Sequence, residues 1–189
     1  MELNARAWLV LAFAHVRVPE LQQLSAQFGG VDDIVSQQRS TLKAAGLAEE
    51  KCTAIVSPDD QRIEEAIAWL ADKSHHIVAY GESDYPDLLA QIPGPPLLLY
   101  INGNSDVLHL PSLAIIGSRN PTRGGVRNAI DFSRHLARCG FAIVSGLAQG
   151  IDAAAHRGAL AVSYTHLRAH ETTSLISYAV FCLKRGGGG

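Results

Sequence analysis

The sequence predicts an α/β protein, in which a helical N-terminal part is followed by parallel strands that alternate with helices. Two observations carry this prediction. Residues 113–116 and 141–144 are short apolar runs, and each is followed by a turn of small residues and then by a segment with helical spacing. Residues 1–73, in contrast, carry helical patterns throughout. Consecutive strands joined by a helix are normally parallel, so both small-residue turns are expected at the carboxyl edge of one sheet.

The N-terminal part, residues 1–73, is predicted to be a small all-helical domain. Residues 2–15 have apolar positions close to helical spacing, and Pro19 begins a second helix that Gly29-Gly30 ends. Further helices are predicted over residues 32–36, 39–45, 48–55 and 60–73.

A SAM-like or helix-hairpin-helix-like module fits this helical domain. In such a module, Gly29-Gly30 and Gly46 would place backbone N–H groups against DNA phosphates. However, residues 1–60 carry eight acidic and five basic residues, and the acids would repel phosphate. A packing or protein-partner role is therefore preferred for this domain.

Two strands and a proline-rich connection lead into the second half of the chain. Residues 77–80 and 97–101 are apolar and strand-like, and the segment 81–96 joins them. Within this segment, Tyr85-Pro86 is interpreted as a rigid extended turn that packs the tyrosine ring, with stacking on a ligand as the alternative.

The two small-residue turns, Gly117-Ser118 and Ser145-Gly146, have the chemistry of an anion site. Each precedes a helix, whose first backbone N–H groups are unpaired and favour negative charge. Glycine lets the backbone approach a phosphate closely, the serines add hydroxyl groups, and Arg119 adds a fork of donors that suits phosphate oxygens. The same residues also fit tight turns without a ligand, because the pattern is neither a Walker A loop nor a GxGxxG fingerprint.

The helix after the first turn is predicted to be amphipathic. Asn120 can cap it, and Pro121 suits its first turn. At 100° per residue, one face collects apolar residues that we expect to be buried. These residues are Val126, Ala129, Ile130, Phe132, Leu136 and Ala137.

A stripe of arginines lies beside that apolar face. Arg123, Arg127, Arg134 and Arg138 fall within an arc of about 60°. A solvated face explains Arg134 and Arg138, since arginines favour a helix C-terminus. Arg119 and Arg123 lie near the glycine turn, and there phosphate binding is preferred.

Asp152 and His156 lie one turn apart near the start of the next helix. Asp152 is interpreted as a first-turn carboxylate that braces the turn or pairs with an arginine, because no nucleophile accompanies it. His156 would need a partner within hydrogen-bond reach to act as a general acid or base, so a structural role or a contact at the edge of bound DNA is preferred.

Composition and charge exclude several classes of protein. The net charge is −2, so a nucleic-acid site would have to be local. No run approaches the ~20 apolar residues of a membrane span, and residues 9–14 lack the features of a signal peptide. The single, widely spaced cysteines Cys52, Cys139 and Cys182 give neither a metal-ligand pattern nor a disulfide framework. We expect a cytoplasmic protein without a metal or cofactor.

Taken together, several short segments resemble the DNA-processing protein A family (DprA, also called Smf). They are GSR at residues 117–119, SGLAQGID at 145–152, AH at 155–156, GAL at 158–160, YPDLL at 85–89 and PPLLLY at 95–100. The resemblance covers roughly residues 1–161 and is firmest over 80–161. It implies an extended Rossmann-like domain that binds single-stranded DNA and helps to load RecA recombinase during natural transformation. It further implies a binding protein rather than an enzyme, and homodimers for full-length members.

The turns and the resemblance together give a set of predicted DNA-binding or phosphate-binding residues, with Asp152 and His156 as structural support. The predicted binding residues are Gly117, Ser118, Arg119, Arg123, Ser145, Gly146, Gln149 and Gly150.

The sequence departs from the family pattern after residue 161. Residues 162–189 are expected to be a non-native tail outside the folded unit, because the stretch SYTHLRAHET resembles a translated sequencing-adapter artefact and a glycine run ends the chain. Only the first part of the Rossmann-like sheet would then be present, as a truncated N-terminal fragment over residues 74–161. An unfinished sheet would expose an apolar face and an open edge, so we expect lower solubility than that of a full-length member.

Two rival functions remain open from the sequence. A Rossmann-type nucleotide-binding enzyme resembling the lysine-decarboxylase-like phosphoribohydrolases would need a proline-glycine-glycine phosphate loop with a downstream glutamate and arginine, which this sequence lacks. The other rival is a protein-interaction fragment that uses the helical domain alone.

Overall fold

The computed structural model describes residues 4–166. These residues belong to two compact units, which divide between Tyr100 and Ile101. The division suggested by the sequence, between residues 73 and 74, lies inside the first unit. The reason is that Ile77, Ala79 and Leu97 are buried in the same core as the helices.

The first unit begins with six helices, as the sequence predicts. Polar caps and glycines set their ends: the side chain of Asn4 accepts from the Ala7 N–H at 3.3 Å, and Gly29 ends the second helix with a φ of 102°. Their apolar faces form one core around fully buried Leu9, Ile34 and Ile63. The helices are α1 (Ala5–Phe13), α2 (Val18–Phe28), α3 (Val31–Val35), α4 (Arg39–Ala44), α5 (Glu49–Val56) and α6 (Asp60–Trp69).

Helix α6 ends at Trp69, four residues before its predicted end at Lys73. The ring of His75 stacks on the Trp69 ring at a centroid distance of 3.9 Å, and its Nδ1 lies 2.8 Å from the Trp69 carbonyl oxygen. These contacts accompany the turn that brings the chain from α6 into the first strand.

A two-stranded sheet follows the helices, and the division between the two units falls within its second strand. It pairs β1 (His75–Ala79) with β2 (Leu98–Asn102), and the short helix α7 (Asp87–Ala90) lies in the connection. Tyr85 is buried, donates its hydroxyl to the Pro96 carbonyl at 2.8 Å, and contacts the Tyr80 ring edge-on. Burial, with a smaller effect of Tyr80, raises the pKa of Tyr85 to about 12. The ring is therefore part of the packing of this connection, in agreement with the preferred interpretation.

The second unit contains the predicted strand, turn and helix repeated twice. After a 3-10 helix (Ser105–His109), the elements are β3 (Ser112–Ala114), α8 (Arg123–Arg138), β4 (Ala142–Val144) and α9 (Ile151–His166). Strands β3 and β4 are parallel, with Leu113 opposite Ile143. Among the described residues they pair only with each other, so each strand has an open edge.

Helices α8 and α9 pack closely against each other. A Cβ at Gly158 would lie 2.3 Å from the Ile130 carbonyl oxygen and 2.8 Å from the Ser133 Cβ. Ser133 is fully buried and donates its hydroxyl to the Ala129 carbonyl at 2.6 Å. Of the apolar residues predicted to be buried on α8, Ala129 is buried, but Phe132 is 65% exposed because it lies at the margin of the apolar arc.

The start of α8 corrects one prediction. Its cap is Thr122, whose Oγ1 accepts from the Gly125 N–H at 3.1 Å, and not Asn120. The Asn120 N–H instead donates to the Ser118 Oγ at 3.0 Å, which holds Asn120 in the preceding turn.

The end of α9 differs from the predicted end of the folded unit at residue 161. The helix extends to His166, and Val162 is 5% exposed. The remainder of the predicted tail lies outside the described residues.

Glu20 is the basis of a pH prediction for the first unit. Its carboxylate accepts from Lys51 Nζ at 2.5 Å, from the Arg17 N–H at 2.7 Å and from the Arg17 guanidinium at 3.0 Å. Burial raises the pKa of Glu20, but these hydrogen bonds outweigh it and lower the pKa from 4.5 to about 2. Such a group stabilises the fold above the pKa of the unfolded chain, and this contribution is lost as the pH falls from about 4.5 to about 2.

We therefore expect Glu20→Gln to lower the free energy of unfolding by about 1–2 kcal/mol at neutral pH, after allowance for nearby solvent. The variant should also lose less stability than the parent protein between about pH 5 and 3. Urea unfolding followed by tryptophan fluorescence measures both effects, and the exposed Glu50→Gln is the control. Equal pH dependence in the parent and Glu20→Gln would contradict the prediction.

Candidate nucleic-acid interface

The carboxyl ends of β3 and β4 bring both predicted turns to one edge of the parallel pair. Residues 117–119 follow β3, and residues 145–150 follow β4 and lead into α9. The edge is thus formed by two turns and the N-terminus of α9, where the Ile151 and Ala153 N–H groups are already paired within the chain.

The two turns are fixed against each other by backbone contacts. The Ile151 N–H donates to the Ser118 carbonyl oxygen at 3.1 Å. Gly150 has a φ of 88°, and a Cβ there would lie 2.3 Å from the same Ser118 oxygen. A Cβ at Gly117 would lie 2.8 Å from the Ile151 side chain. The glycines therefore allow a close approach that no other residue would permit, and the backbone that carries Arg119 is held in place.

The two serines of the turns have different roles. Ser118 is exposed, and its Oγ accepts from the Asn120 N–H, so its hydroxyl hydrogen remains available to a ligand. Ser145 is 5% exposed, and its hydroxyl donates to the Ile115 carbonyl at 2.7 Å. The structure thus differs from the expectation for Ser145: its one hydroxyl hydrogen ties β4 to β3 and is not directed to a ligand.

Asp152 and His156 lie on α9 behind the turns. Asp152 is 6% exposed, and its Oδ2 accepts from the Gly146 N–H at 3.2 Å. It braces the turn, which is one of the two roles expected for it. The Nε2 of the half-buried His156 is buried without a hydrogen-bond partner among the described residues.

Arg119 and Arg123 are exposed, and within residues 4–166 neither makes an ion pair or a side-chain hydrogen bond. Arg134, in contrast, contacts Asp131 at 3.0 Å. Gln149 is also exposed at this edge. The two guanidinium groups nearest the turns are therefore free to bind an anion, as are those of Arg127, Arg138 and Arg157 within the described residues.

Charge is distributed unequally between the two units. Residues 101–166 contain six arginines and three aspartates, for a net charge of +3, whereas residues 4–100 contain seven basic and thirteen acidic residues, for a net charge of −6. The small net charge of the whole chain therefore hides a basic unit, and it is the unit that carries the glycine turns. Counting charges by the predicted domains would not have revealed this signal, because residues 74–161 carry six arginines and six acidic residues.

The glycines of the helical unit are not available as DNA contacts. The Gly29 N–H donates to the Ser25 carbonyl at 2.9 Å, the Gly30 N–H to the Asp33 carboxylate at 3.0 Å, and the Gly46 N–H to the Lys43 carbonyl at 3.0 Å. Their backbone donors are thus satisfied within the unit, and the packing or protein-partner role of this domain stays a prediction.

Metal-ligand groups and long apolar helices were also sought in the part of the chain that the structure describes. No group of three or more potential metal ligands occurs there, and no helix there is long and apolar enough to span a membrane. Cys52 is buried and Cys139 is exposed, and both are free thiols.

The fold and the edge together define an α/β protein whose parallel strand pair carries a candidate phosphate-binding edge built from glycine turns. Comparison with known proteins gives the family. The model of the DNA recombination-mediator protein A family matches residues 76–172, and the chain belongs to this family.

Curated relatives carry the same family names. Protein Smf of Escherichia coli (strain K12) is 34% identical over 133 residues, which are 70% of this chain and 34% of that protein. DNA processing protein DprA of Streptococcus pneumoniae is 42% identical over 76 residues, which are 40% of this chain and 27% of that protein. The chain thus spans about a third or less of the length of these relatives.

A solved structure supports the fold. The X-ray structure of DNA processing protein A from Streptococcus pneumoniae matches with a TM-score of 0.64 and 24% sequence identity. The match covers 86% of this chain and 56% of that chain.

Proposed function

We propose that this chain binds single-stranded DNA at the carboxyl edge of the β3–β4 pair. The observation that carries the proposal is Arg119, an exposed guanidinium without a partner among the described residues, on a turn whose backbone is fixed by Gly150 and Ile151. A fixed turn holds the start of the arginine side chain in place, so less freedom is lost when it binds a phosphate. Membership of the family supports DNA as the ligand.

Binding would be mainly to the sugar-phosphate backbone. Ser118 offers a hydroxyl hydrogen, and Arg119 and Arg123 offer guanidinium groups, on turns that Gly117 and Gly150 allow to meet closely. Such contacts position a strand but do not distinguish bases, so little sequence preference is expected. Gln149 adds an amide at the same edge, while Ser145 and Asp152 brace the turns.

We further propose that the complete protein is a recombination mediator that helps to load RecA recombinase onto incoming DNA in natural transformation, as a homodimer. Family membership supports the mediator role. A binding role, and not catalysis, is favoured because the Asp152 carboxylate is buried and engaged by the Gly146 N–H.

Titration of a fluorescently labelled oligonucleotide followed by anisotropy tests the binding proposal. We expect the single strand to bind more tightly than a duplex of the same length, with affinity falling as salt rises. A nucleotide-hydrolysis assay run beside it should show no turnover. Nucleotide hydrolysis without single-strand binding would overturn the proposal in favour of an enzyme.

RecA loading needs a separate test, because DNA binding alone does not imply it. RecA-catalysed ATP hydrolysis on a single strand coated with single-strand-binding protein should begin sooner when this protein is present. An unchanged delay, with DNA binding intact, would remove the loading role for this chain while leaving the binding proposal in place.

A further inference from the structure

The loop after β4 contains an exposed apolar residue in a strained conformation. Leu147 has a φ of 56°, in the left-handed region that residues with a Cβ rarely adopt, and it is 46% exposed. Among the described residues, only His15 is a second non-glycine residue with a positive φ. Glycine or asparagine would fit this backbone more easily, so an apolar side chain in water at this position calls for an explanation.

Hydrogen bonds on both sides of Leu147 impose its conformation. Before it, the Ser145 hydroxyl donates to the Ile115 carbonyl at 2.7 Å, and the Gly146 N–H donates to Asp152 at 3.2 Å. After it, the Ala153 N–H donates to the Ala148 carbonyl at 3.2 Å. The loop is thus braced so that it presents an apolar side chain at the carboxyl edge, which also carries Arg119.

A ligand that suits such an edge has an anionic group and an apolar face a short distance apart, as a nucleotide unit of single-stranded DNA has. We propose that Leu147 packs against the face of a nucleobase in a strand whose phosphate is bound at the Arg119 turn. This inference rests on the proposed DNA-binding function. Leucine has no hydrogen-bonding group in its side chain, so the contact accepts any base, in keeping with little sequence preference.

The experiment compares two labelled strands of equal length, an oligothymidylate and an abasic oligonucleotide, under the same salt. The parent protein should bind the oligothymidylate about threefold to tenfold more tightly, the effect of burying part of one leucine side chain. Leu147→Ala and Leu147→Gly should both lose this preference and retain the affinity for the abasic strand.

Leu110→Ala is the matched control. Leu110 is also 46% exposed, but it precedes β3 and so lies at the amino end of that strand. This variant should keep the preference for the base-bearing strand. Leu147→Gly should also be more stable than Leu147→Ala, because glycine adopts the positive φ without strain. If both variants lose the preference for the base-bearing strand in spite of their different stabilities, the cause is the lost side-chain contact and not a loss of folding.

The outcomes distinguish this inference from the function on which it rests. Leu147 variants that bind both strands as the parent does, or that weaken both equally, overturn the nucleobase contact while the DNA-binding function stands. A parent protein that binds neither strand overturns both. Arg119→Ala, in contrast, should lower the affinity for both strands, because it removes a phosphate contact.

Discussion

Replacing Gly150 with alanine should destabilise the second unit by about 2–4 kcal/mol. About 1 kcal/mol of this arises from the left-handed backbone, since Gly150 has a φ of 88°. The remainder, about 1–3 kcal/mol, arises from overpacking, because a Cβ would lie 2.3 Å from the Ser118 carbonyl oxygen and 2.7 Å from that of Arg119. Both neighbours are backbone atoms, which cannot rotate away as a side chain would.

Gly140→Ala is the control for the steric part of this effect. Gly140 also has a φ of 88°, but a Cβ there would have no atom within 4 Å. Gly140→Ala should therefore lower the free energy of unfolding by only about 1 kcal/mol, the effect of backbone strain alone. If the two variants are equally destabilised, the contact between the two turns is not rigid and the preorganisation of the DNA edge is wrong.

Hydrogen exchange is the measurement that suits these variants. Both tryptophans of the chain, Trp8 and Trp69, lie in the first unit, so their fluorescence does not report on the second. The N–H groups of Ile115 and Ala142 donate across the β3–β4 pair, each at 2.9 Å, to the carbonyls of Val144 and Pro111. Faster exchange at these amides gives the loss of stability of the second unit directly.

The sequence was sufficient to predict the parallel pair and the order of the strands and helices, except for α7 and the 3-10 helix. Apolar runs bounded by glycine turns and helical spacing leave few alternatives, and right-handed crossover then places both turns at one edge. The packing of β1 and β2 against the helices was harder to predict from the sequence. It depends on side chains such as Ile77 and Leu97, which join a core formed by residues distant in the sequence.

Details of the candidate site depended on contacts that sequence spacing does not reveal. Asn120 and Thr122 are both good helix caps, and the hydrogen bond from the Asn120 N–H to Ser118 accompanies the start of α8 after Thr122. The role of Ser145 depends on Ile115, which is 30 residues away. Nothing in the sequence indicated the positive φ of Leu147, because leucine is not a residue that turn rules place at positions with positive φ.

Arg119→Ala should weaken single-strand binding by about 1.5–3 kcal/mol, the range for a hydrogen bond to a charged group. The Arg119 side chain is exposed and makes no ion pair within residues 4–166, so the substitution should leave the fold intact. Its guanidinium can bind two phosphate oxygens, which a lysine cannot match, so Arg119→Lys should restore only part of the affinity. Losing one phosphate contact should also reduce the slope of the logarithm of the affinity against the logarithm of the salt concentration by roughly 0.7.

Arg138→Ala is the matched comparison, because it removes the same charge from an exposed position on the same unit. Arg138 is the last residue of α8, and at 1.5 Å per residue it lies roughly 22 Å along the helix from its start. It should act only through diffuse charge and cost much less affinity than Arg119. Anisotropy titrations of both variants at two salt concentrations make the comparison. If Arg138→Ala weakens binding as much as Arg119→Ala does, the DNA is attracted by the net positive charge of the unit and the glycine turns are not the binding site.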